Sequence, residues 1–208
     1  MLGIGATASE IDETQEKNEG FDPCCGLEFI IPGHAAPEID DKWGSASLAE
    51  TNEALGKFHE TSELKKRIDV NPNYDCFDQF SPWNKNCSSC SLAVLDRMNG
   101  DNPGAMACRE NLAPTVSDME RITGMEQVEM TPMQIYQHAL IQGSGYTGIC
   151  GYDRAQGPDG TSLDGHWICV HTGEHGVYAL DGQTDTVMGF LDYVEQDPGI
   201  RYDLSIRR

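Results

Sequence analysis

Basic residues are scarce in this 208-residue sequence, which has 14 lysines and arginines against 34 aspartates and glutamates and a formal net charge of −20. Nucleic acids and anionic membrane surfaces repel so acidic a chain, so we expect neither as a partner. Long apolar runs are missing as well, because the longest, from Leu27 to Pro32, is interrupted by Glu28. We therefore expect no membrane insertion, and a neutral or basic protein is the favoured partner.

The beginning of the chain lacks the basic segment of a secretory signal, and acidic Glu10 and Asp12 follow Met1 closely. We therefore expect synthesis in a cytoplasm without a Sec signal. Eight cysteines would suit a disulfide framework in a secreted protein. The adjacent pair Cys24-Cys25 and the missing signal argue instead that most of them are free thiols.

Residues 1–72 are predicted to form an acidic, partly disordered leader. Their first 45 residues are rich in Gly, Pro, Glu and Asp without a sustained hydrophobic period. A capping-box pattern that begins at Ser47 opens one helix, and Asn71-Pro72-Asn73 then breaks the chain. This composition assigns the main domain to residues 73–208 and predicts that the leader is dispensable for its fold.

Cys87 is predicted to begin a helix. A polar, turn-forming approach precedes it, and apolar Cys90, Val94 and Met98 follow with the spacing of one helix face, up to the stop at Asn99-Gly100. Unpaired backbone N–H groups and the helix dipole stabilise a thiolate at such a position. Cys87 is therefore the candidate nucleophile, and burial of both cysteines in an ordinary core is the alternative.

A second informative stretch lies near the end of the chain. Residues 165–171 and 176–184 are rich in β-branched and aromatic residues and are joined by a short Gly-containing link, which predicts a β-hairpin. If Val170 pairs with Val177, Asp181 lies opposite His166 on the same face. The carboxylate would then accept a hydrogen bond from Nδ1 of His166 and leave Nε2 free to act as a base.

The remaining patterns complete a fold class. Thr131-Pro132 begins a helix that ends at Gly143, residues 148–152 read as a buried strand, and residues 153–165 as a loop. A helix is predicted over 187–195 and a half-buried closing strand over 200–206, while residues 105–128 carry no clear pattern. Helices followed mostly by strands indicate an α+β domain with an antiparallel sheet.

These residues resemble the bacterial papain-fold toxin domains that act as protein glutamine deamidases. The resemblance lies in Asn86-Cys87-x-x-Cys90-x-x-Ala93 with Arg97 and Gly100, in Gly143 to Tyr152, in Gly165-His166-Trp167, and in Leu180-Asp181-Gly182-Gln183-Thr184. It implies a papain-like cysteine hydrolase fold, with the nucleophile helix packed on an antiparallel sheet. It covers about residues 83 to 185, and no match extends over residues 1–75.

The resemblance implies a nucleophile at Cys87, a general base at His166 and an orienting carboxylate at Asp181. Asn86 and Gln183 are the expected oxyanion or supporting residues, and no cofactor or metal is implied. Partners would be a protein substrate with a target glutamine and a cognate immunity protein. The enzyme would be made in a bacterial cytoplasm and delivered into a target cell or released.

Four alternatives stay open on the sequence alone. Cys90, one helical turn further on, is the alternative nucleophile, although its inward position favours Cys87. The same residues could serve a cysteine protease or a transglutaminase, because all three reactions share an acyl-thioester step. Cys87, Cys90, His166 and Cys169 could instead hold structural zinc. An inactive adaptor is the last alternative, and the intact Cys, His and Asp argue against it.

Overall fold

Six strands and five helices make up the described part of the chain. A computed structural model describes residues 48–78, 80–109, 114–158, 160 and 162–207, so most of the predicted leader lies outside these ranges. The helices are α1 (Leu48–Ile68), α2 (Cys87–Asn99), α3 (Val116–Thr123), α4 (Pro132–Gln142) and α5 (Phe190–Gln196). The strands are β1 (Glu126–Glu129), β2 (Thr147–Gln156), β3 (Ser162–Thr172), β4 (Val177–Asp181), β5 (Thr186–Gly189) and β6 (Arg201–Ile206).

The strands form one sheet in the order β1-β6-β2-β3-β4-β5, and every neighbouring pair is antiparallel. The fold is therefore α+β with an antiparallel sheet, as the sequence predicted. The last strand, β6, lies inside the sheet between β1 and β2. Its Tyr202, Asp203 and Leu204 are all buried, so the predicted half-buried closing strand is covered on both faces.

Both faces of the sheet carry helices, because successive side chains of a strand point to opposite sides. On β2, Ile149 packs in the cluster that includes residues of α1, α2 and α3, and its neighbour Cys150 packs in the cluster that includes residues of α4 and α5. On β3, Cys169 packs in the first of these clusters and Ile168 in the second. The near-continuous apolar runs of β2 and β3 follow from this double coverage.

The sequence signals at their ends correctly predicted where α2 and α4 begin and end. Helix α2 begins at Cys87 and ends at Asn99, and the capping residue Gly100 adopts a left-handed conformation with φ of 79°. Thr131 and Gln134 form the expected capping box at the start of α4, and Gly143 is its C-cap. These ends are set by side-chain hydrogen bonds and glycine conformations that are readable from sequence.

Two predicted boundaries are wrong. Residues 186–189 form β5 along β4, so the predicted helix over 187–195 begins only at Phe190. Much of the predicted loop 153–165 is strand, since β2 continues to Gln156 and β3 begins at Ser162. In both places cross-strand pairing overrode a local composition that favours helix or loop.

Residues just before the predicted boundary at residue 72 are buried in the core. Leu64 and Ile68 of α1 and the following Val70 are buried in the core cluster that contains Val94 of α2. Gly182 fits against them so closely that an added Cβ would lie 2.8 Å from Val70 Cγ2 and 2.6 Å from Val94 Cγ2. The end of α1 is therefore part of the domain. No helix in the described ranges is long and apolar enough to span a membrane.

Candidate active site

The candidate site lies where the first turn of α2 meets the β3–β4 hairpin. Cys87 is the first residue of α2 and is 8% exposed. Within the described part of the chain, the side chain of Asn86 caps none of the first N–H groups of this helix. Backbone donors at a helix start then point toward any negative charge that develops beside the cysteine.

His166 and Asp181 meet as predicted, but through a different strand register. Val170 pairs with Ala179, and Val177 pairs with Thr172, so the predicted Val170–Val177 pairing is wrong by two residues. A shift of two keeps every side chain on its own face of the sheet. His166 and Asp181 are therefore diagonal neighbours on one face, and His166 Nε2 lies 2.9 Å from Asp181 Oδ2.

The ring nitrogens of His166 have the opposite roles to those predicted. Nε2, not Nδ1, is hydrogen-bonded to Asp181. Cys87 lies beside His166 in the same cleft and contributes to the raised pKa of the imidazole. Because Nε2 is occupied, Nδ1 is the nitrogen available for the thiol. Because the two residues are diagonal neighbours on the sheet, Nε2, the ring nitrogen farther from the backbone, reaches the Asp181 carboxylate.

Asp181 is a buried carboxylate that accepts hydrogen bonds from several groups. Oδ2 accepts hydrogen bonds from His166, from the Thr184 hydroxyl at 2.9 Å and from the Tyr193 hydroxyl at 3.0 Å. Oδ1 accepts from the backbone N–H of Gln183 at 2.9 Å. Burial alone would raise the pKa of Asp181, but the charge of His166 and these hydrogen bonds lower it below its usual value. Asp181 is therefore ionised.

The charge of Asp181 sets the protonation of His166. Burial favours the neutral imidazole, yet the Asp181 carboxylate outweighs it and raises the pKa of His166, and the neighbouring Cys87 acts in the same direction. At neutral pH the ring is an imidazolium beside the thiol. An imidazolium stabilises a neighbouring thiolate, which is the nucleophilic form of cysteine.

Cys90 has a different environment. It is 1% exposed, and its thiol donates to Asn86 Oδ1 over 3.4 Å. Burial raises the pKa of Cys90, and the negative charge of Asp181 raises it further. A buried thiol that keeps its proton is a poor nucleophile. This geometry favours Cys87 over Cys90.

Asn86 and Gln183 belong to a buried amide network behind the thiol. Asn86 Nδ2 donates to Asn71 Oδ1 at 3.3 Å and to the Cys108 carbonyl at 3.0 Å, which uses both of its N–H groups. Its Oδ1 accepts from Asn71 and from Gln183 Nε2, each at 3.3 Å. Asn86 therefore supports the helix start and has no donor left for an oxyanion.

A cleft of about 460 Å³ opens beside Cys87 and His166. Its walls include the aromatic residues Tyr152 and Trp167, and its charged residues are Asp153, Asp164, Arg201 and Asp203. Gly151 faces Trp167 across the β2–β3 pair, and a Cβ there would lie 2.5 Å from the Trp167 ring. The absence of a side chain at Gly151 lets the indole lie flat against the strand beside His166.

The zinc interpretation lacks its ligand set in the described residues, where no three His, Cys, Asp or Glu side chains come close enough together to hold a metal ion. Cys169 is fully buried, and its thiol donates to the Ser91 carbonyl over 3.2 Å. Cys169 points into the α2 side of the core, whereas His166 points to the other face with Asp181.

Several residues of the site were not predicted from sequence. Thr184 could have been found, because an Asp whose side chain accepts backbone N–H groups two and three residues later forms a common turn, and Thr184 completes it. Asn71 was interpreted only as a chain break. Tyr193 and Tyr152 reach the site from α5 and β2, and no local pattern connects them with Asp181.

Comparison with known proteins gives little. No family model and no curated protein matches the chain. Among solved structures, one variant of the Salmonella effector SpvD is similar over 71% of this chain and 78% of its own, with 12% identity and a TM-score of 0.48. A second SpvD variant is similar over 72% and 91%, with 10% identity and a TM-score of 0.43. Function is therefore inferred from the geometry of the site.

Proposed function

We propose that this chain is a papain-like thiol amidohydrolase that deamidates a glutamine side chain of a target protein. The observation that carries the proposal is the juxtaposition of Cys87, His166 and Asp181: the thiol lies at a helix start beside the imidazole, and the imidazole is hydrogen-bonded to the buried carboxylate. Nucleophile, acid–base group and orienting group in this order are the parts that acyl transfer through a thioester requires.

In the proposed reaction the Cys87 thiolate attacks the carboxamide carbon of the glutamine. Backbone N–H groups of the first turn of α2 stabilise the oxyanion. The C–N bond then breaks, His166 gives its proton to the departing nitrogen, and ammonia leaves. Water attacks the thioester while His166 accepts a proton from it; the C–S bond then breaks, which releases the side chain as its acid and restores the Cys87 thiolate beside the protonated His166.

The choice of deamidation rests on the resemblance of the sequence motifs to bacterial deamidase toxins. That resemblance also supports a proposed role as an effector delivered into a target cell, with an immunity protein as a second partner. A strongly acidic chain would associate most readily with a basic target protein.

The test is a comparison of cell lysates treated with the wild type, Cys87→Ala or Cys108→Ala. We expect specific glutamines to gain about 1 Da with the wild type, since an amide becomes an acid through the thioester. Cys87→Ala should abolish the gain, and Cys108→Ala should retain it because this thiol is exposed and lies outside the series.

Three other outcomes would overturn deamidation. New peptide termini would indicate a protease, and amine-dependent cross-links would indicate a transglutaminase. No change that depends on Cys87, in lysates from several hosts, would favour the adaptor.

A further inference from the structure

A run of hydrogen-bonded side chains continues behind Asp181 to the protein surface. The Tyr193 hydroxyl donates to Asp181 Oδ2 at 3.0 Å and lies 3.2 Å from the Tyr152 hydroxyl. The Tyr152 hydroxyl donates to Asp197 Oδ2 at 2.5 Å, and Arg154 Nε donates to Asp197 Oδ1 at 2.8 Å. These side chains connect the buried pair with a half-exposed ion pair.

The two carboxylates decide where the tyrosine protons lie. A phenol has a single O–H donor, and a carboxylate within hydrogen-bond distance is stabilising only if that proton points to it. Tyr152 therefore donates to Asp197, and Tyr193 donates to Asp181. Burial raises the pKa of both tyrosines, so both keep their protons.

Tyr193 is not needed to hold Asp181 in place. The turn after β4 already fixes the carboxylate through the Gln183 N–H at 2.9 Å and the Thr184 hydroxyl at 2.9 Å. What Tyr193 adds is a third donor on Oδ2, the same oxygen that accepts from His166 Nε2 and from the Thr184 hydroxyl. A donor on that oxygen draws negative charge away from the imidazolium.

We propose that Tyr193 is a positioning residue that limits the proton affinity of His166 by sharing Asp181 Oδ2 with it. This inference deepens the proposed function, because a less basic imidazolium gives its proton more readily to the departing nitrogen. Tyr193 itself touches no reacting atom. It acts only through Asp181.

Other titratable groups also surround the pair. They are Cys87 and Cys90 from α2, Cys169 from β3, Tyr152 from β2, Asp185 after β4 and Asp197 after α5. Among the described residues, Thr184 and Tyr193 are the donors that share Oδ2 with His166. Loss of either donor should therefore leave more negative charge on Asp181 Oδ2 to stabilise protonated His166.

The test is a pH titration of the His166 ring by NMR in the full chain with carbon-13-labelled histidine. In Tyr193→Phe we expect the midpoint of His166 to move upward by about half a pH unit, which is about a threefold rise in proton affinity. Thr184→Val removes the other shared donor without a large change of shape. It should move the midpoint in the same direction.

Tyr178→Phe is the matched control, because it deletes a tyrosine hydroxyl that donates to Glu60 Oε2 at 2.7 Å, away from this series. It should leave the His166 midpoint unchanged. A downward movement in Tyr193→Phe, or one no larger than in Tyr178→Phe, would overturn the proposal. The titration needs no substrate, so its result is independent of whether the enzyme deamidates glutamine.

Discussion

His166 is held on three sides. Nε2 is hydrogen-bonded to Asp181 at 2.9 Å, Cys87 lies beside the ring in the same cleft, and the Tyr152 ring packs edge-to-face with a centroid distance of 5.7 Å. These contacts fix the plane of the imidazole and keep it charged. The reactivity of Cys87 should therefore depend on His166 and not on exposure, because the thiol itself is buried.

Replacing His166 should slow the reaction of Cys87 with alkylating reagents. Near neutral pH we expect the wild type to be alkylated by iodoacetamide at Cys87, and His166→Gln to react there at least about tenfold more slowly, because the ring beside the thiol is lost. Peptide mass mapping measures the rate, with exposed Cys108 as the internal reference.

His171→Gln is the control for this prediction. His171 is also buried on β3, but its Nδ1 lies 2.9 Å from Thr147 Oγ1, and burial lowers its pKa. His171→Gln should retain the labelling of Cys87. Equal losses in the two variants, or faster labelling of Cys90 than of Cys87, would contradict the assignment of the nucleophile.

The helix-start position of Cys87 and the shared face of His166 and Asp181 were predictable from sequence, because a helix start and strand alternation are local patterns. The ring nitrogen and the strand register were not, since both depend on a two-residue shift that leaves the hydrophobic pattern unchanged. The role of Asn86 was equally hidden. Its partners Asn71 and Cys108 come from distant parts of the chain.

Hydrogen bonds of side-chain amides connect the start of α2 to the rest of the fold. Asn71 donates to the Trp83 carbonyl at 2.9 Å and to the Gln183 carbonyl at 3.2 Å, so one side chain links the loop before α2 with the turn after β4. Asn86 joins the same network and is fully buried. The network thus positions Cys87 relative to Asp181 through the turn that holds the carboxylate.

Removing the Asn86 amide should therefore destabilise the protein. Asn86→Ala removes the donor to Asn71 Oδ1 and the acceptor of Gln183 Nε2, two buried polar groups, and each such group left unpaired costs about 1–3 kcal/mol. We expect the free energy of unfolding in urea to fall by about 3 kcal/mol or more.

Asn84→Ala is the control, because Asn84 also bonds backbone groups of Asp75 and Asp78 but in a half-exposed loop where water can replace it. Its cost should stay below about 1.5 kcal/mol. A small loss in Asn86→Ala, combined with a large loss of turnover, would show instead that Asn86 acts on the reacting atoms.

Elements with strong local signals were predictable, and short ones were not. The capping box at Thr131 and the left-handed Gly100 define α4 and α2. Strands β1 and β5 are four residues each and have no alternation long enough to detect. They form because β1 pairs with the open edge of β6 and β5 pairs with the open edge of β4. Those edges exist only in the assembled sheet.

At the scale of the molecule, helix α1 joins the sheet from one side. Ile68 and Val70 are fully buried, and the Glu60 carboxylate accepts hydrogen bonds from Glu174 N–H at 2.6 Å and His175 N–H at 3.0 Å in the β3–β4 turn. Composition did not reveal this, because α1 has mostly polar residues and only its last turns are covered. A weakly amphipathic helix can still close a core with a few side chains.

Ile68→Ala in the full chain measures how far the domain extends before residue 72. Because Ile68 is fully buried, we expect a loss of about 2–5 kcal/mol in the free energy of unfolding, from lost apolar burial and the cavity left behind. Leu55→Ala on the same helix is the control, since Leu55 is 53% exposed and its loss should cost no more than about 0.5 kcal/mol. Urea unfolding followed by circular dichroism provides both values. Equal, small losses would restore the boundary at residue 72, whereas the expected difference would make the end of α1 a structural part of the domain that carries Cys87.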